Sequence, residues 1–164
     1  MRKAMFVLLP VAILALIGFA IQAEEPAAAK WLDMPNCYFC QPLTQVEGLM
    51  ENLSWESLKI KNGIVQVVTF KPEWEEKYRA AWAESVERWK EPDPGKEHYL
   101  CGLCQAWQQI PLDKVAWEDV KFSGGEISIG ESEDSAIVAR IHTIADKTGT
   151  AMDEMKKAKE MPKQ

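Results

Sequence analysis

The four cysteines are the residues whose type and spacing point most directly to chemistry. They form two Cys-x-x-Cys pairs, Cys37 with Cys40 and Cys101 with Cys104. Two thiols three residues apart can lie on one side of a turn or helix, and such pairs are common ligands of tetrahedral Zn²⁺. Gln41 and Gln105 follow the pairs where a c-type haem would need histidine, so covalent haem is not expected.

Three chemistries are open for these pairs. The four thiolates can bind one metal ion, they can form structural disulfides in an oxidising compartment, or one pair can cycle between dithiol and disulfide. The 60-residue spacer between Cys40 and Cys101 is long for a compact zinc ribbon. A thioredoxin-like site, in turn, would need a βαβ pattern around its motif. The leading interpretation is a Cys₄ site, with zinc as its ion and Cys37, Cys40, Cys101 and Cys104 as its ligands.

Two further side chains bear on the metal. Met34 lies three residues before Cys37, and His98 lies three residues before Cys101. Methionine with cysteine would favour Cu(I), and histidine with cysteine would favour Zn²⁺. We favour the interpretation in which neither residue is a ligand, so that Met34 is a core residue and His98 is solvated. We interpret His142 as an interfacial histidine and assign no catalytic residues.

An internal repeat organises the chain around the cysteines. The segment starting at Trp55 matches the segment starting at Trp117 at a constant offset of 62, and the cysteine pairs correspond at an offset of 64. Each segment reads as a β-hairpin. Asn62-Gly63 lies in one predicted turn, where both residues tolerate positive φ, and Gly124-Gly125 lies in the other. The alternation predicts that Leu58, Ile60, Val65, Val67, Val120, Phe122, Ile127 and Ile129 point inward.

Helical patterns flank the hairpins. Asn36 is predicted to cap a helix that starts at Cys37. A second helix is predicted from Pro72 to Trp89, with an aromatic stripe that we expect to pack on the sheet rather than to form a ligand platform. A third is predicted from a Ser132 cap to Ala145.

These elements predict an α+β fold. Two αββα units would form a four-stranded antiparallel sheet covered by helices. The predicted organisation is a signal peptide at 1–23, a linker at 24–36, one pseudo-symmetric domain at 37–150 and a charged flexible tail at 151–164. The two repeats within the domain span 37–90 and 97–147.

The N-terminus predicts export. Arg2 and Lys3 precede an uncharged run over residues 4–21, and Ala23 suits a cleavage site. The expected location is therefore periplasmic or extracellular; the alternative is a membrane anchor formed by residues 4–21. Removal of residues 1–23 takes away two basic residues and no acidic one, which changes the net charge from −6 to −8. This charge disfavours nucleic acid as a partner, so we expect a protein or small ligand, and a membrane only if the segment is retained.

Overall fold

The computed structural model describes residues 29–91 and 95–160, with side chains to residue 157. Two hairpins alternate with helices along the described chain. In chain order the elements are α1 (Gln41–Gln45), β1 (Leu53–Ile60), β2 (Gly63–Phe70), α2 (Glu75–Lys90), α3 (Gly102–Gln108), β3 (Ala116–Phe122), β4 (Gly125–Glu131) and α4 (Ser135–Glu160).

The four strands form one antiparallel sheet in the order β1-β2-β4-β3. The α+β fold and the joining of two hairpins edge to edge are therefore confirmed. The hairpins share one register at the offset of 62: Trp55 pairs with Val68 in the first, and Trp117 pairs with Gly130 in the second. Between them, β2 and β4 pair Gln66 with Ser128, two positions that also differ by 62. The full superposition of the two repeats stays a prediction.

The first hairpin turn differs from the expected one. Ile60 pairs with Gly63, so Lys61 and Asn62 form the loop, and no described residue other than glycine has a positive φ. Gly63 is needed for a different reason, because a Cβ there would overlap the carbonyl oxygen of Gly130 on the neighbouring strand. In the second turn Gly124 does adopt the left-handed region, with φ of 82°.

The predicted inward set lies on the wrong face of the sheet. Residues that pair across antiparallel strands share a face. Leu58, Val120 and Phe122 are 51, 46 and 41% exposed, and their neighbours on the same face are only half-buried. We call this face the open face; it comprises Leu58, Ile60, Val65, Val67, Val120, Phe122, Ile127 and Ile129.

The helices cover the opposite face, here called the covered face, which carries Trp55, Ile64, Gln66, Val68, Glu126 and Ser128. Tyr78 of α2 donates a 2.6 Å hydrogen bond to Glu126. Asp146 of α4 pairs with Lys59 at 2.6 Å, and Ile64 is fully buried. The core therefore forms between this face, the helices and the cysteine segments.

Three helix ends differ from the expected ones. The helix predicted from Pro72 consists of a 3₁₀ turn at Pro72–Trp74 followed by α2. The last helix begins at Ser135, and Asp134 rather than Ser132 caps it, since its Oδ1 accepts the N–H of Ala136 at 2.9 Å. That helix continues to Glu160, beyond its predicted end at Ala145, so residues 151–160 of the predicted tail are helical.

The predicted signal peptide, its alternative as an anchor at residues 4–21, and residues 24–28 of the predicted linker lie outside the described residues. Among the residues that are described, no helix is both long enough and apolar enough to cross a lipid bilayer.

Candidate metal centre

The four cysteines converge on one point in the interior. Their Sγ atoms all lie within 4.8 Å of one another. Cys104 Sγ is 3.4 Å from Cys40 Sγ and 3.5 Å from Cys37 Sγ. A disulfide bond is about 2.05 Å long, and all four cysteines are free thiols. Sulfurs around a tetrahedral Zn²⁺ at about 2.3 Å lie about 3.8 Å apart, so the separations suit four ligands of one ion.

The first cysteine pair lies in a turn rather than in the predicted helix. The helix expected from Cys37 is wrong: α1 begins at Gln41, and the Asn36 side chain hydrogen-bonds Asp33 instead of capping it. The chain turns at Cys37, whose carbonyl oxygen accepts the N–H groups of Cys40 and Gln41. Pro42 fits the first turn of α1, because the backbone N–H that proline lacks would have no partner within the helix at that position. The turn directs both thiols of this pair to the same side.

The second pair lies at the start of α3. Cys101 is the N-cap residue, and Cys104 lies within the helix, so the two thiols are one turn apart. Gly102 lets the preceding chain approach, because a Cβ there would lie 3.0 Å from the Trp31 ring and 3.1 Å from its Cα. In return, the carbonyl oxygens of Lys30 and Trp31 accept the N–H groups of Gly102 and Leu103.

Hydrogen bonds hold the two cysteine segments against each other. The N–H of Tyr38 donates to the carbonyl oxygen of Tyr99 at 3.0 Å. Arg88 of α2 donates to the carbonyl oxygen of Tyr38 at 2.9 Å, and its guanidinium lies 5.0 Å from the Tyr38 ring centroid. Arg88 thus positions the first pair. No local pattern indicates this role, because the contact joins residues 50 positions apart.

Because the four thiols lie close together, the pKa is lowered for two of them and raised for the other two. Hydrogen bonds, the strongest with Cys104, lower the pKa of Cys101 to about 7. Hydrogen bonds led by that with Cys101 also lower the pKa of Cys37. The pKa values of Cys40 and Cys104 are raised, chiefly by their hydrogen bonds to Cys101. Four thiolates this close repel one another, and a bound cation would offset that repulsion.

The remaining candidate residues lie as follows. Met34 is buried among the core residues. His98 is not solvated as expected: its ring stacks on Tyr38 with centroids 3.7 Å apart, and its Nε2 is buried without a hydrogen-bond partner in the described part of the chain. It is not one of the residues of the sulfur cluster. His142 Nε2 lies 2.9 Å from the Ile60 carbonyl oxygen, at the interface between α4 and the sheet.

No model of a protein family, no curated protein and no solved structure matches this chain.

Proposed function

We propose that the protein is an exported metal-binding protein in which Cys37, Cys40, Cys101 and Cys104 together hold one Zn²⁺ ion. The observation that carries the proposal is the clustering of four free, buried sulfurs within 4.8 Å. Apolar side chains would fill this part of the core as well as four adjacent thiols do, so packing alone does not account for the thiols. Their common use as ligands explains why both pairs meet in the core.

The donor set favours zinc. Four cysteine sulfurs form a closed tetrahedral shell, which is typical of structural zinc sites and leaves no position for a catalytic water. Cu(I) is the competing ion because it also prefers soft sulfur ligands, and Met34 would add one. Cu(I) and Zn²⁺ differ in the ligand number they favour, so metal analysis with X-ray absorption separates them.

A metal at this place would act on folding. Cys37 and Cys40 precede the first hairpin, and Cys101 and Cys104 precede the second. One ion would therefore join the beginnings of the two predicted repeats across a long stretch of chain. Because such a site exists only in the folded chain, metal-binding free energy becomes folding free energy. We propose a structural role, with no catalytic step at the ion.

Export remains part of the proposal on the strength of the N-terminal sequence. In an oxidising compartment, a bound ion would also protect the thiols from disulfide formation. N-terminal sequencing of the protein recovered outside the cytoplasm should give a first residue near Glu24. Recovery of a chain that still begins at Met1 would support the anchor instead.

The direct test of the proposal is metal binding itself. Protein purified from its own compartment should contain one zinc per chain, and the thiols should react with a thiol reagent only after chelation. Acidification should release the ion, because protons compete for the thiolates. A metal-free native protein with four reactive thiols would contradict the proposal.

One observation favours a second candidate, a thiol–disulfide redox protein. Cys104 is 3.4 and 3.5 Å from Cys40 and Cys37, so a small movement would join the two motifs by a disulfide. Formation of that bond would release two protons and pass two electrons to an oxidising disulfide of a partner. Peptide mapping of the oxidised protein would then find Cys104 linked to Cys37 or Cys40. A reduction potential above about −300 mV would indicate a working pair rather than a structural bond.

A further inference from the structure

A cavity of about 330 Å³ lies between α2, α3 and the covered face of the sheet. This volume is within the range of small-molecule sites. Its walls are almost wholly apolar, and five of the seven tryptophans of the chain line it. They are Trp55, Trp82, Trp89, Trp107 and Trp117.

The exposed tryptophans concentrate at this cavity. Trp82 and Trp117 are 43 and 40% exposed, and Leu112, which also lines the cavity, is 40% exposed. Large side chains left in contact with water cost free energy that a ligand can recover. Indole rings from α2, α3 and the strands offer flat surfaces that favour stacking with another ring.

Two polar features specify the ligand further. Trp55 lines the cavity, and its indole N–H is buried without an acceptor in the described part of the chain. An unpaired buried donor is unfavourable. Because this N–H is closed off from solvent, a ligand oxygen would satisfy it only after the indole ring shifts toward the cavity. Lys90 is the charged residue among the described residues that line the cavity. Its ammonium lies 3.3 Å from the carboxylate of Glu87, and this exposed ion pair is weak enough for a ligand anion to replace.

The cavity also reaches the sulfur cluster. Cys40 and Cys104 line it and are 9 and 6% exposed, whereas Cys37 and Cys101 are fully buried. The second cysteine of each pair therefore faces the cavity, and the first faces the interior. A ring in the cavity would contact polarizable sulfur, which is a favourable partner for aromatic groups.

We propose that this cavity binds a planar aromatic molecule with an anionic oxygen group, held between the tryptophans and against the Cys40–Cys104 side of the cluster. The contact with a bound metal rests on the proposed function, whereas binding to the cavity does not. The ligand would replace water at Trp82 and Trp117 and accept the Trp55 N–H.

The test uses the full, metal-loaded chain and 8-anilinonaphthalene-1-sulfonate, a probe with aromatic rings and a sulfonate. We expect one saturable site, with probe fluorescence excited by transfer from tryptophan. Trp82→Ala should weaken binding at least about tenfold through loss of a stacking wall. Trp55→Phe keeps an aromatic wall but removes the N–H, and should weaken binding several-fold.

The control variant lies on the other side of the sheet. Leu58→Lys places a charge on the open face and should leave probe affinity unchanged. Loss of binding in Leu58→Lys together with unchanged binding in Trp82→Ala would overturn the proposal, because the probe would then occupy the open face. Absence of any saturable binding would overturn it too.

Metal content and cobalt spectra separate this proposal from the metal-binding one. Trp82→Ala and the unsubstituted chain should contain the same amount of metal. In cobalt-substituted protein, the probe should shift the thiolate-to-cobalt absorption bands, because it lies against two of the ligands. If the native protein binds the probe but contains no metal, the proposed function alone is contradicted. If it contains metal but does not bind the probe, the cavity proposal alone is contradicted.

Discussion

At the scale of single residues, the cysteines do not all have the same surroundings. Cys37 and Cys101 are fully buried, whereas Cys40 and Cys104 border the cavity. The first cysteines of the two pairs are thus equivalent in burial, and so are the second. If all four cysteines bind one ion, equivalent cysteines should contribute equally to stability, because the loss of any one ligand opens the same coordination shell.

Cys37→Ser and Cys101→Ser should therefore destabilise the protein by similar amounts. Loss of a metal ligand belongs to the small class of substitutions that cost about 4 kcal/mol or more. Urea unfolding of both variants with zinc present measures the two costs. Strongly unequal costs, or costs that are unchanged when zinc is removed from the reference protein, would argue against one shared site.

Tyr78 and Glu126 form a buried polar contact outside the cysteine cluster. The Tyr78 hydroxyl donates to Glu126 at 2.6 Å, and burial, followed by this hydrogen bond, raises the pKa of Tyr78. Tyr78→Phe would leave a buried carboxylate with one partner fewer, and should cost about 1–3 kcal/mol. The matched control is Tyr99→Phe, because Tyr99 is 44% exposed and donates to Asp33 at 3.2 Å. Its cost should stay below about 1 kcal/mol in the same unfolding experiment; equal costs would contradict this assignment.

At the scale of elements, the two faces of the sheet differ in how far the helices cover them. Ile64 on the covered face is fully buried, whereas Leu58 on the open face is 51% exposed. Ile64→Ala should cost about 2–5 kcal/mol through lost burial and a cavity. Leu58→Ala should cost less than about 1 kcal/mol, since half of that side chain is already in water. Comparable costs in thermal or urea unfolding would mean that the open face is covered in solution.

This difference also explains which parts of the fold the sequence predicted. Alternating residues and turn glycines are local signals, so both hairpins and their edge-to-edge joining were predictable. The choice of face was not, because it depends on where α2 and α4 lie. The covered face carries Gln66, Glu126 and Ser128, which look solvent-facing in the sequence, yet Tyr78 and the helices cover them. The inward set was therefore assigned to the more apolar face and was wrong.

The cysteine segments show the same limit of prediction from local sequence patterns. Their convergence was an expected consequence of a shared site, and the structure brings all four sulfurs together. The helix predicted from Cys37 failed because the Cys37 carbonyl oxygen closes a turn before α1 begins. Arg88 and Trp31, which hold the segments in place, act through contacts between distant positions. Spacing in the sequence carries no information on such contacts.

At the scale of the whole molecule, the cysteine cluster links parts of the chain that are far apart in sequence. It joins the turn before β1 to the start of α3, and α3 is held by Lys30 and Trp31 at the beginning of the described chain. Trp31 in turn donates to Thr148 of α4 at 3.2 Å. Metal binding should therefore stabilise the fold as a unit rather than only one loop.

Removal of the ion should lower the melting temperature of the whole domain. A chelator strong enough to compete for zinc should shift a single cooperative transition to lower temperature, and added zinc should restore it. Circular dichroism at helix and sheet wavelengths, followed in parallel, checks that both change together. A control incubation of Cys37→Ser with the chelator should show no further shift. A chelator that leaves the melting temperature of the unsubstituted protein unchanged would contradict a structural ion.

The most direct measurement is the metal-to-protein ratio of the native protein, determined together with its free-thiol count. One zinc per chain, four thiols that become reactive only on chelation, and an X-ray absorption spectrum with four sulfur neighbours at about 2.3 Å are the predicted result. Protein that contains no stoichiometric metal in its own compartment, with its thiols either freely reactive or joined in disulfides, would contradict the metal centre.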